Sequence, residues 1–95
     1  MPICVLREQL ADYDAWKTGF YAHMSQNAAE FEGIGVALEA VYRDADDPNA
    51  ILTLIHFATR EQGVAMLADP DSRAAMEANG VDLATLRIEW YEDPS

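Results

Sequence analysis

The order of apolar runs along these 95 residues restricts the fold more than any motif does. It reads strand, helix, strand, hairpin turn, strand, helix, strand. The hairpin is marked by Tyr42-Arg43-Asp44-Ala45-Asp46-Asp47-Pro48-Asn49, an Asp/Pro/Asn cluster between two apolar runs. A helix-length segment separates each outer strand from that hairpin, so the helices are expected to cover one face of a four-stranded sheet.

Alternation within the strands sets their order. The run from Ile3 to Gln9 is apolar on both alternating sets, Ile3 and Val5 on one and Cys4 and Leu6 on the other. The run from Ala50 to Ala58 behaves likewise, with Ile51, Ile55 and Phe57 opposite Leu52, Leu54 and His56. A strand apolar on both faces belongs in the middle of a sheet. Val36 to Asp44 and Thr85 to Glu92 carry charges (Glu39, Arg43, Arg87, Glu89, Glu92) and read as edges. First and third strands inside, second and fourth outside, is the arrangement of an α+β, ferredoxin-like βαββαβ sandwich in one domain over residues 1–95. The face without helices then exposes an apolar patch, which a homodimer packed sheet to sheet would cover.

The first helix is predicted from an N-cap at Asp12 to about Gly33, with Tyr13, Trp16, Phe20, Met24, Asn27 and Phe31 in one stripe and His23 on the Trp16 flank. The second helical region opens with a capping box at Thr59 and Gln62. It is interrupted at Asp69-Pro70, where Asp69 caps a second short helix that Asn79-Gly80 ends.

Composition excludes some classes of partner. Six basic residues against 17 acidic ones give a net charge of −11, and the six are scattered, so nucleic acid and anionic membrane surfaces are not expected partners. No apolar run approaches the roughly 20 residues that span a bilayer, and the N-terminus lacks the pattern of a secretory signal. A cytoplasmic location is expected, in agreement with a single cysteine, Cys4, read as a buried small hydrophobe. Phosphate loops, nucleophile elbows and metal-binding His/Glu spacings do not occur. Two histidines without a placed carboxylate make a poor metal site.

What remains is a set of polar and aromatic side chains with more polarity than a core requires. Trp16, His23 and Asn27 share a flank of the first helix, and Phe20 lies on the same stripe. His56 sits in a central strand, and Tyr42 and Trp90 add aromatic surface on the outer ones. His23 is either a half-exposed helix residue or a base directed into a cavity. Asn27 either bonds to backbone near the helix end or orients a ligand, and Trp16 and Phe20 are either core or pocket wall.

The segment Asp12-Tyr13-Asp14-Ala15-Trp16-Lys17, followed by Phe20 and His23, and then Val41 to Asn49, resembles the dimeric α+β barrel superfamily. Within it the chain is most similar to small proteins grouped with antibiotic biosynthesis monooxygenases, over nearly its whole length. The resemblance implies a homodimer joined through the sheets and a ligand cavity between sheet and helices. It also implies cofactor-free oxygenation, cyclisation or isomerisation of an aromatic or polyketide-like molecule. In that scheme His23 removes a proton, Asn27 and Trp16 orient the anion, and Phe20, Tyr42, His56 and Trp90 contact the substrate. No cofactor or metal is expected. The alternative is a non-catalytic, metabolite-binding or stress-related dimer whose aromatic residues close the cavity.

Overall fold

The computed structural model describes residues 2–94. Its elements in chain order are β1 (Pro2–Gln9), α1 (Tyr13–Gln26), α2 (Ala28–Gly33), β2 (Ala37–Arg43), β3 (Ala50–His56), α3 (Arg60–Ala68), α4 (Pro70–Ala78), a 3₁₀ turn (Leu83–Thr85) and β4 (Arg87–Glu92). The sheet order is β2-β3-β1-β4 with every pair antiparallel, so the two strands that are apolar on both faces are the central ones.

Register divides the sheet residues into two sets. Cys4 pairs with Ile55 and Trp90, Leu6 with Thr53 and Ile88, and Glu8 with Ile51. These residues face the helices, and Leu38 and Val41 join them from β2. Ile3, Val5, Arg7 and Gln9 alternate to the other face, with Leu52, Leu54 and His56 from β3, Tyr42 from β2 and Arg87, Glu89 and Tyr91 from β4. An irregularity between Leu38 and Ala40 shifts the β2 register by one residue and leaves Glu39 unpaired in the ladder.

The helix ends follow their capping chemistry. The Asp12 carboxylate accepts from the Ala15 N–H at 2.9 Å, the Thr59 hydroxyl oxygen from Gln62 N–H at 3.1 Å, and Asp69 from Asp71 N–H at 2.8 Å, directly before Pro70. Gly80 follows the α4 C-cap Asn79 with a φ of +87°, a left-handed conformation natural to glycine. One boundary differs from the sequence expectation. The first helix does not run unbroken to Gly33 but breaks at Asn27, whose side-chain amide donates to the His23 carbonyl at 2.9 Å while its own N–H reaches the same oxygen at 3.2 Å. A side chain that competes for backbone carbonyls in this way favours a helix end over a helix interior.

The helix-side core has two parts. Cys4, Leu6, Val36, Ile55, Phe57 and Leu67 form one cluster, and Leu10, Trp16, Ile51 and Val81 form the other, with Met76 packing against both. The first depends on close approach between α3 and the sheet: a methyl group at Gly63 would collide with Trp90 and lie 3.0 Å from Phe57. Gly63→Ala is therefore expected to destabilise the protein by about 1–3 kcal/mol, the range for overpacking, although alanine is the better helix former. Urea denaturation checks this, and a variant as stable as the parent would show that α3 is free to lift.

Candidate functional site

The seven residues singled out in the sequence do not form one constellation. Trp16 and Phe20 lie between α1 and the sheet, where Trp16 is 2% exposed and its ring stacks on Phe20 at 4.6 Å and 13°. Trp90 is also on the helix side, beneath α3, 5.6 Å from the Phe57 ring and with the Arg60 guanidinium 5.9 Å from its centroid. These three are the aromatic residues, among the seven, that the fold places on the helix side of the sheet. His23 and Asn27 sit at the C-terminal end of α1. The His23 side of this pair is exposed, its ring 5.9 Å from Phe31 and its Nδ1 3.4 Å from the Asn27 amide nitrogen.

Tyr42 and His56 lie elsewhere. Both are on the helix-free face, because His56 alternates with the buried Ile55 and Phe57 and Tyr42 alternates with Val41. A sheet thickness separates them from Trp16 and Phe20, so the two pairs cannot contact one small ligand in one cavity of a single subunit. His56 Nε2 lies 3.3 Å from Glu39 Oε1 on this face, and Tyr42 is 60% exposed.

A cleft of about 520 Å³ lies at the end of the sheet, lined by Arg7, Gln9, Tyr42 and Leu52 of this face and by Glu8 and Ile51 of the helix side. Next to it Arg7 Nε donates to Glu89 Oε1 at 2.7 Å, and Tyr91 donates to Glu89 Oε2 at 3.1 Å. Both bonds favour the carboxylate and hold Glu89 below its ordinary range, the Arg7 bond foremost. The helix-free face thus has an apolar centre of Ile3, Val5, Leu52 and Leu54 and a charged border at Arg7, Arg87 and Glu89.

The helix side contains two polar groups that the sequence reading passed over. Glu8 is 8% exposed, and its carboxylate has no hydrogen bond or ion pair among the described residues. Burial alone pushes its carboxyl up to about 7. Thr53 is 1% exposed, and its hydroxyl oxygen has no hydrogen-bond partner among the described residues. The sequence held a signal for both: Glu8 keeps the parity of Cys4 and Leu6, and Thr53 that of Ile51, Ile55 and Phe57, so each is a polar residue on a strand face otherwise apolar. Cys4, fully buried on the same face of β1, has its thiol pushed up to about 12 by burial first and by the Glu8 charge second, which agrees with a packing residue and not a nucleophile. Among the described residues no cluster of three or more His, Cys, Asp or Glu is placed to hold a metal, and no helix is long and apolar enough to cross a membrane.

No protein-family model matches this sequence, and no curated protein does. Solved structures do. A Deinococcus radiodurans protein proposed to be an antibiotic biosynthesis monooxygenase superposes with a TM-score of 0.63 at 20% identity, covering 100% of this chain and 94% of that one. A Nitrosomonas europaea protein given the same proposed assignment matches with a TM-score of 0.63 at 13% identity over the full length of both chains. A mutant of SnoaB, a cofactor-independent oxygenase from Streptomyces nogalater, matches with a TM-score of 0.65 at 16% identity, covering 99% of this chain and 93% of that one. The chain therefore shares its fold, over its whole length, with these three solved structures.

Proposed function

We propose that this protein is a small homodimer that accepts an aromatic or polyketide-like molecule between its sheet and its helices and oxygenates, cyclises or isomerises it without a cofactor. The observation that carries this reading is the match along nearly the whole chain to a cofactor-independent oxygenase. Trp16, Phe20 and Trp90 supply an aromatic lining on the helix side in support of it. Removing a proton from a phenol or enol gives a resonance-stabilised anion that reacts onward, so the chemistry requires a proton acceptor near the ligand. His23 is the acceptor candidate on α1.

One observation favours a second reading, a non-catalytic dimer: the Trp16 ring is buried, stacked on Phe20 and packed with Leu10, Ile51 and Val81 beneath α1. A thermal-shift screen against phenols, quinones, anthrone-like polyketides and lactones separates the two. A ligand at 100 times its dissociation constant adds about 2.7 kcal/mol, a rise in melting temperature of about 10–20 °C for a domain of this size. A rise with one aromatic class supports the first reading, and none with any compound favours the second.

The dimer is proposed to form through the helix-free face, whose apolar centre and charged border have the anatomy of an interface. Leu54, at the middle of β3 and paired with Val5, lies at its centre. Leu54→Arg is expected to convert the dimer to monomer in sedimentation equilibrium at micromolar concentration. A parent protein that sediments as a monomer would refute the proposed assembly.

A further inference from the structure

We infer that the end of the helix-free face holds a second binding site, for a small monocarboxylate with an apolar body, in which Arg7 and Arg87 grip the carboxylate and Leu52 and Tyr42 support the body. This site is separate from the helix-side interior of the proposed function and does not depend on it.

Register sets the four side chains in a line. Tyr42 pairs with Leu52, Leu52 with Arg7, and Arg7 with Arg87, so an aromatic ring, an aliphatic chain and two guanidiniums stand side by side on β2, β3, β1 and β4. All four line the cleft of about 520 Å³ at the end of the sheet. Adjacent strands are about 4.8 Å apart, so the row runs about 14 Å from Tyr42 to Arg87. A carboxylate between the two arginines then lies about 7 Å from the β3 strand, the reach of a body of one or two rings over Leu52, with the exposed Tyr42 ring as its far wall. Leu54 and Val5 form the next row along the same face, so the site borders the proposed contact between subunits.

The charges of the row call for an anion. Like charges directly opposite each other on neighbouring strands repel, and Arg7 faces Arg87 in a chain with only six basic residues. Arg7 uses Nε for Glu89 Oε1, which leaves its two terminal amino groups without a hydrogen bond among the described residues. The Arg87 guanidinium has neither a hydrogen bond nor an ion pair among them. Glu89 is already shared, since one of its oxygens accepts from Arg7 and the other from the Tyr91 hydroxyl at 3.1 Å. The other charges of the cleft are engaged elsewhere. The Arg43 guanidinium lies 3.9 Å from the centroid of the Tyr13 ring and its Nε donates to the Pro48 carbonyl at 3.2 Å, while the Asp44 carboxylate accepts from the Asp46 and Asp47 N–H groups, each at 2.9 Å. Glu8 faces the helices.

These observations select one ligand chemistry. A guanidinium fork matches the plane of a carboxylate and binds it through two parallel hydrogen bonds. Two guanidiniums and one carboxylate leave a local charge of +1, which a monoanion neutralises. A phosphate dianion would exceed it, in a chain whose net charge of −11 already repels anions. The uncharged half of the row, Leu52 and Tyr42, favours an apolar body over a bare inorganic ion.

The test is an NMR titration of the ¹⁵N-labelled parent and of Arg87→Gln, an exposed edge-strand change that keeps the fold, with 2-naphthoate at pH 8 and low salt. The uncharged 2-naphthamide and inorganic phosphate serve as comparison ligands. The inference predicts saturable shifts at the amides of Tyr42, Leu52, Arg7 and Arg87 with the Trp16 indole N–H unmoved. It also predicts affinity for 2-naphthoate about tenfold weaker in Arg87→Gln, the scale of a lost charge-assisted hydrogen bond, and 2-naphthamide binding to the parent no more tightly than 2-naphthoate binds the variant. Equal affinity of parent and variant, a 2-naphthamide affinity that matches 2-naphthoate, or shifts centred on Trp16 would each overturn the inference. So would phosphate that displaces 2-naphthoate at equal concentration, or a parent that shows no saturable shift. None of these results counts against the helix-side reading, which the thermal-shift screen decides.

Discussion

Trp16→Ala is expected to remove about 3–5 kcal/mol of folding stability, the range for deleting a buried aromatic side chain. Domains of this size have a total of about 5–15 kcal/mol, so the variant should be marginally folded at 25 °C. The size of the effect follows from position. Trp16 is 2% exposed, stacks on Phe20 at 4.6 Å and contacts the ring of Tyr13 with centroids 6.0 Å apart, so it joins α1 to the cluster of Leu10, Ile51 and Val81. Removing it leaves a cavity lined by apolar groups, which the surrounding helices only partly close. Added indole should therefore restore a measurable part of the lost melting temperature. A variant within 1 kcal/mol of the parent would mean that α1 is held by other contacts and that Trp16 only lines a space.

Glu8→Gln should alter stability in a pH-dependent way. The folded-state carboxyl stands at about 7 against an ordinary value of 4.5, so the native state binds this proton more tightly than the unfolded chain. Below about pH 4.5 both states are protonated, and the buried carboxyl contributes its full share of stability. As pH rises toward 7 the unfolded state gains by ionising first, and that share is progressively lost until both states are ionised. At about 1.4 kcal/mol per pH unit, the interval from 4.5 to about 7 amounts to about 3 kcal/mol. Glutamine has the same shape and does not titrate, so the parent should lose about 3 kcal/mol relative to the variant between pH 4.5 and pH 8. Urea melts of both proteins across this range read the difference directly. Parallel curves would show that the Glu8 carboxylate is solvated in the native state.

The strand order was legible because Ile3 to Leu6 and Ile51 to Phe57 are apolar on both alternating sets, and only a central strand with cover on two sides needs that. The Asp69-Pro70 division of the second helical region was legible too, since proline accepts the first position of a helix and rejects its interior. The break at Asn27 was not. Asparagine inside an amphipathic stripe reads as helix until its amide is seen on the His23 carbonyl, a competition between side chain and backbone that periodicity does not encode.

The candidate site was legible in part. Trp16 and Phe20 were legible as residues of the first-helix stripe that meets the sheet, but Tyr42, His56 and Trp90 required knowledge of which strand face meets the helices. In β3 the two alternating sets are similarly apolar, so sequence alone left that choice open. Fixing it moves His56 to the face it shares with Glu39 and brings Thr53 inside. Glu8 was obscured by its place near the end of β1, where a charged residue ordinarily reads as solvated.

The central claim is that the helix-side interior receives the ligand. The most direct measurement is an amide-resolved NMR titration of the ¹⁵N-labelled protein with 1-naphthol. The account predicts that perturbations concentrate at Glu8, Thr53, Trp16 with its indole N–H, and Met76. Perturbations confined to Arg7, Tyr42, Leu54 and Arg87 would place the ligand on the helix-free face and contradict it.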